Sequence, residues 1–172
     1  NPVQQLGAGL VWVATGHRRA EQVSRDIRRF LPKRVELVQS PVSEIELKGG
    51  KARVDGQEIA YDYLVLALGA RLAPEAVPGL AEGAHLFYEL KGAIKLGEAL
   101  ARFEKGNITL VIPALPIKCP PAPYEFFMSL DSELRKRGLR KAVELHIYSI
   151  EPMPLPVAGP VVCNVISSLL KD

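Results

Sequence analysis

NITLVIPALPIKCPPAPYEFFMSLDSELRKRG, residues Asn107 to Gly138, is the stretch on which the reading of the whole chain turns. Ile108 to Ile112 is a short apolar run rich in β-branched residues, the composition of a strand in the middle of a parallel sheet. A helix is predicted to begin near Pro121 or Pro123. Proline fits the first turn, where its missing N–H costs nothing, and Glu125 suits the positive end of the helix dipole. Tyr124, Phe127, Met128, Leu130 and Leu134 give that helix an apolar stripe, and Arg135, Lys136 and Arg137 ahead of Gly138 form a consistent end. Val143 to Ser149, VELHIYS, reads as the next strand. Strand, loop, helix and strand make a βαβ unit, so the chain is read as α/β.

The turn after the first strand of such a unit is where a dinucleotide-binding fold places glycines and a pyrophosphate. Here P-A-L-P-I-K-C-P-P-A-P stands in place of G-x-G-x-x-G. It offers few backbone N–H groups and no close backbone approach, which argues against a nicotinamide dinucleotide. It offers a thiol instead. Cys119 follows Lys118 and precedes the expected helix start, surroundings that activate a cysteine as a nucleophile. The alternative reading is a buried cysteine acting as a small hydrophobe, since no base is visible nearby in sequence.

Composition narrows the classes. The chain has 172 residues, 48% of them hydrophobic and 24% charged, ordinary material for one domain or two small ones. A net charge of +3 is too mild to imply nucleic acid, and the aromatics are not interleaved with basic residues. No apolar run approaches the ~18 residues of a membrane span, and no signal-peptide pattern is visible. Cys119 and Cys163 form no C-x-x-C and no metal spacing with His17, His85 or His146, so no metal site is predicted.

Taken in order, Gly7-Ala8-Gly9 reads as a plain loop rather than a phosphate loop, because no β-run precedes it and apolar LVWVATG follows. His17 to Pro32 is predicted to be a helix. Its stripe is Ala20, Val23, Ile27 and Phe30 or Leu31, with its arginines on a solvated face. From Val35 the pattern changes to short strands: VELVQ, VSEIEL, KARVDG and QEIAY. With turns at Gly49-Gly50 and Asp55-Gly56 they make an antiparallel meander. Tyr63 to Leu68, YLVLAL, reads as an apolar strand ending in Gly69-Ala70. Ala93 to Phe103 is expected to be a helix despite Gly97, and the C-terminal stretch a Pro-rich loop leading into another helix.

The run K-C-P-P-A-P-Y-E, Lys118 to Glu125, resembles the segment around a redox cysteine in the sulfide:quinone oxidoreductases and the flavoprotein subunit of flavocytochrome c sulfide dehydrogenase. These belong to the wider FAD-dependent pyridine nucleotide-disulfide oxidoreductase superfamily, which also includes the type II NADH dehydrogenases. The resemblance implies that Cys119 takes up sulfide sulfur as a persulfide. Y-D-Y-L-V-L-A-L-G-A followed by P-G-L resembles the superfamily's second FAD-contacting motif, usually met as A-T-G. This implies FAD contacts at Ala67, Leu68, Gly69 and Ala70, with Leu68 departing from the usual threonine. Val42, which opens the second meander strand, matches a position that often meets adenine through the main chain.

The family therefore implies FAD as cofactor, sulfide as substrate, quinone or a cytochrome as electron acceptor, and peripheral membrane association through parts outside this chain. The expected architecture is an incomplete pair of FAD/NAD(P)-binding, Rossmann-like domains with a β-meander insertion. Residues 1–84 are read as the tail of the FAD-binding domain, 85–106 as a crossover and 107–172 as the front half of the second, NAD-binding-like domain. The glycine-rich turn that would hold the FAD pyrophosphate is missing, so the chain is read as a fragment with weak or absent flavin binding. Sheet edges left open should promote self-association. Two alternatives stand beside sulfide oxidation: a catalytically silent remnant or assembly module, and a type II NADH dehydrogenase-like flavoprotein.

Overall fold

The structure is a computed structural model that describes residues 2–171. Asn1 and Asp172, where the expected domain boundaries begin and end, lie outside the described residues. In chain order the elements are β1 (Val3–Gln5), α1 (Leu10–Ala14), β2 (Ser24–Asp26), β3 (Val42–Glu46), β4 (Lys51–Val54) and β5 (Gln57–Ala60). There follow α2 (Leu80–Gly83), α3 (Leu90–Arg102), β6 (Gly106–Ile112), α4 (Ala122–Lys136), β7 (Val143–Ser149) and α5 (Gly159–Leu169). The content is mixed helix and strand, in two compact units. One comprises residues 1–4 and 25–71, the other residues 5–24 and 72–172.

The smaller unit carries the three-stranded antiparallel sheet β3-β4-β5. Its second hairpin turns at Asp55 and Gly56, with φ of 52° and 77°. Two successive positive φ values are the signature of the tight turn whose twist matches the flanking strands. Around this sheet two expectations fail. Residues 35–39 form no strand, and neither do residues 63–68, where Tyr63, Val65 and Leu68 are 93%, 85% and 86% exposed. A continuous apolar run becomes a strand only when another strand supplies hydrogen bonds and a covering face, and among the described residues no strand pairs with it.

In the larger unit β6 and β7 pair in parallel from Gly106↔Val143 to Ile112↔Ser149, joined through α4. Helix α4 ends as the arginine- and lysine-rich turn predicts: the N–H of Leu139 reaches the carbonyl of Leu134 and that of Gly138 the carbonyl of Arg135. Its apolar surface is wider than a single stripe. Phe126, Leu130 and Leu134 face the main core with Leu10, Val11, Ala93, Leu96 and Val143, while Tyr124 and Met128 pack with Ile112, Leu155 and Ile166. Burying each large apolar side chain contributes roughly 1.5–3 kcal/mol, so this helix is the main organiser of the unit. Burial opposes ionisation of Asp131, but Arg135 and Arg140 both donate to it and hold its carboxyl below the ordinary range. Arg140 also donates to the carbonyl of Val143, linking the helix to the start of β7.

The N-terminal region departs from expectation twice. The apolar segment after Gly9, which does not read as a helix start, forms the short helix α1, with Leu10, Val11, Val13 and Ala14 buried. It lies against α3 at Gly97, where an added Cβ would stand 3.0 Å from the Val13 carbonyl oxygen. The glycine that seemed to weaken α3 is what lets the two backbones meet. The helix expected over residues 17–32 does not form; two 3-10 turns, Ala20–Gln22 and Ile27–Arg29, flank β2 there. Of the expected stripe, Val23 is buried but Phe30 is 68% exposed. Pairing of β2 with β1 has overridden the helical spacing.

Candidate functional site

Cys119 stands between β6 and α4, on the carboxyl-end side of a parallel strand pair, where open α/β sheets hold their ligands. It is half-buried, its side chain packed against the edge of the main core. Its carbonyl accepts two hydrogen bonds, from the Ala122 N–H at 3.1 Å and from the Tyr88 hydroxyl at 3.2 Å. Tyr88 is itself stacked on Phe87 with ring centroids 5.0 Å apart, and Phe87 on Phe126 at 4.7 Å. Burial first, then the Cys119 and Glu151 charges, push the Tyr88 hydroxyl up to about 12. It therefore remains a neutral donor at every physiological pH.

The helix start behind Cys119 is a poor anion cradle. Pro121 and Pro123 carry no N–H, and the Ala122 N–H is already donated to Cys119. Of the first four backbone positions only Tyr124 keeps a donor for an incoming phosphate. Two residues beyond β7, where dinucleotide folds place a ribose-binding acid, stands Glu151. Its carboxylate accepts the hydroxyls of Tyr124 at 2.5 Å and Ser149 at 3.3 Å. Tyr124 is only 2% exposed, and its burial together with the Glu151 bond raises its pKa.

Glu125, in the first turn of α4, accepts the indole N–H of Trp12 at 3.0 Å. Sequence reading assigned Glu125 to the helix dipole alone and left Tyr88, Trp12 and Glu151 unassigned. Cys163 lies elsewhere, on α5, with no exposed surface and its thiol 3.5 Å from the Leu155 carbonyl oxygen. The two cysteines are free thiols, and among the described residues no group of His, Cys, Asp or Glu is placed to hold a metal. No helix among the described residues is long and apolar enough to cross a membrane.

The positions matched to FAD contacts all lie in the smaller unit. Val42 opens β3 and is 52% exposed. Ala67, Leu68, Gly69 and Ala70 run in irregular, exposed chain, with Gly69 at φ of 70°. A Cβ added at Gly69 would meet nothing within 4 Å, so the main chain is open to approach there. These residues do not by themselves form a cradle for FAD.

No protein-family model matches the chain. The solved structure of the sulfide:quinone oxidoreductase of Aquifex aeolicus superposes with a TM-score of 0.85 at 24% identity, covering 99% of this chain and 41% of that one. The two chains thus share a fold over that part. In sequence, the mouse mitochondrial sulfide:quinone oxidoreductase is 33% identical over 76% of this chain and 31% of its own length. An alternative NAD(P)H-ubiquinone oxidoreductase of Arabidopsis thaliana is 35% identical over 60% of this chain and 20% of its own length. The chain is similar in sequence to these oxidoreductases, and it spans about a third of the length of the curated sulfide:quinone oxidoreductases it matches.

Proposed function

We propose that the chain is part of an FAD-dependent oxidoreductase that oxidises sulfide at Cys119 and delivers the electrons to a quinone. The observation that carries this reading is the half-buried Cys119, held by its carbonyl on the loop that leads from β6 into α4. In the net step the Cys119 thiolate and hydrosulfide together lose two electrons and one proton to the oxidant, the S–H bond of hydrosulfide breaks and an S–S bond forms. Two electrons, the released proton and one further proton pass to the quinone, leaving a cysteine persulfide and a quinol. FAD, which the family resemblance implies, would serve as the two-electron carrier where it is bound. On this proposal residues 1–84 are the tail of an FAD-binding domain, 85–106 a crossover and 107–172 half of an NAD-binding-like domain, an incomplete Rossmann-like pair with the meander inserted.

Two features argue for sulfide over a nicotinamide donor, and so against the type II NADH dehydrogenase-like alternative. The α4 start has one free donor where a pyrophosphate needs several, and the Glu151 carboxylate is engaged by Tyr124. The chain is tested by single turnover with sulfide and a short-chain quinone. The wild type is expected to form one quinol per chain above the background of a Cys119→Ser variant. Equal quinol yields from the two would reject the proposal.

A second reading, a flavin-free assembly module, draws on the exposed apolar run 63–68 and on β6, which among the described residues pairs only with β7. Its expected signs are a colourless preparation and concentration-dependent light scattering. We expect the isolated chain to bind FAD weakly or not at all, since residues 67–70 run in exposed, irregular chain. Gel filtration with added FAD checks this; stoichiometric yellow flavin eluting with the protein would contradict it.

A further inference from the structure

We propose that Tyr88 is a positioning residue for Cys119, holding the cysteine's peptide so that its thiol is presented in one fixed direction. The inference rests on the reading of Cys119 as the sulfur-accepting residue.

Tyr88 lies 31 residues before Cys119, just ahead of α3, yet its hydroxyl donates to the Cys119 carbonyl. Ile117 and Cys119 pack against the core, but the backbone of the loop preceding α4 has little to hold it. Residues 113–121 form neither helix nor strand, and three of the prolines there, Pro116, Pro120 and Pro121, remove N–H groups that could pin the backbone. The Ala122 N–H constrains the Cys119 carbonyl from within the same turn. Only Tyr88 ties that carbonyl to a different element among the hydrogen bonds that the structure gives it. The Tyr88 ring is in turn fixed by the stack running through Phe87 to Phe126 on α4, both of them buried. The stack orients the ring, the ring aims the hydroxyl, and the hydroxyl sets the peptide from which the thiol projects. Because the hydroxyl ionises only near 12, the tie persists across the whole range in which sulfide chemistry runs.

Two variants separate the hydroxyl from the ring. Tyr88→Phe keeps the stack and removes one hydrogen bond, while Tyr88→Leu removes both. Sulfur uptake at Cys119 from sulfide and a short-chain quinone is measured beside melting temperature. In Tyr88→Phe the uptake rate is expected to fall about threefold to tenfold, the worth of one hydrogen bond, with the melting temperature close to wild type. In Tyr88→Leu the rate should fall little further while the melting temperature drops clearly. A purely structural role predicts the opposite pattern, wild-type uptake in Tyr88→Phe and loss only in Tyr88→Leu, and would overturn the proposal. Absence of sulfur on wild-type Cys119 would instead refute the sulfide reading itself, and an unchanged rate of iodoacetamide labelling of Cys119 in Tyr88→Phe would then refute positioning independently.

Discussion

Iodoacetamide at pH 7 is expected to alkylate Cys119 in the folded chain and to leave Cys163 untouched until denaturant is added. The two thiols differ first in access. Cys163 has no exposed surface and is packed on α5 with its thiol turned to the Leu155 carbonyl, whereas Cys119 is half-buried on a loop. Reagent reaches Cys163 only through local opening around α5, and the stability of that packing sets the rate. They differ also in setting, because Cys119 lies on an irregular loop beside the exposed Lys118, whereas Cys163 lies within a helix. Peptide mass spectrometry should find at least a hundredfold ratio of labelling, corresponding to roughly 3 kcal/mol of local opening at Cys163. Comparable labelling of both in the folded chain would show that α5 does not shield its cysteine as described.

Truncating Phe126 to alanine is expected to destabilise the larger unit by about 3–5 kcal/mol. Phe126 is 3% exposed and sits in the core that α4 shares with α1, α3 and β7, and its ring is one end of the stack carrying Phe87 and Tyr88. Removal leaves a cavity that α1 and α3 cannot readily fill, since their backbones already touch at Gly97. Urea denaturation should show the midpoint falling with little change in slope. A cost below about 1 kcal/mol would mean that the stack is not part of a packed core.

The part of the fold that was readable from sequence is the part in which several local signals agree. Around α4 a proline start, an apolar stripe and an R-K-R-G end all name the same helix, and β6 is a bounded run rich in β-branched residues. The failures have identifiable causes. Helix α1 is five residues long and buried on nearly every side, so it displays no polar face and no period. Residues 17–32 carry a helical spacing, but Val23 is claimed by the core while β2 pairs with β1. Residues 63–68 have strand composition without a strand to pair with.

The candidate site divides in the same way. Cys119 was visible because its own neighbours, Lys118 and the prolines, mark it. Tyr88, Trp12 and Glu151 were not, because each acts through a bond spanning 31, 113 and 27 residues, to Cys119, Glu125 and Tyr124 respectively. Nothing in the residues around Tyr88 announces that its hydroxyl ends at a cysteine carbonyl. One signal was available for Glu151: an acid just past the second strand of a βαβ unit is worth testing as a ribose ligand. Only the structure reveals that Tyr124 already occupies it.

Tandem mass spectrometry of the chain after exposure to sulfide and a short-chain quinone tests the central claim most directly, because it locates the added sulfur residue by residue. One sulfur atom on Cys119, removed by thiol reductant and absent from Cys163, is the predicted result. Sulfur distributed equally between the two cysteines, or a Cys119 peptide of unchanged mass under conditions that consume sulfide, would contradict it.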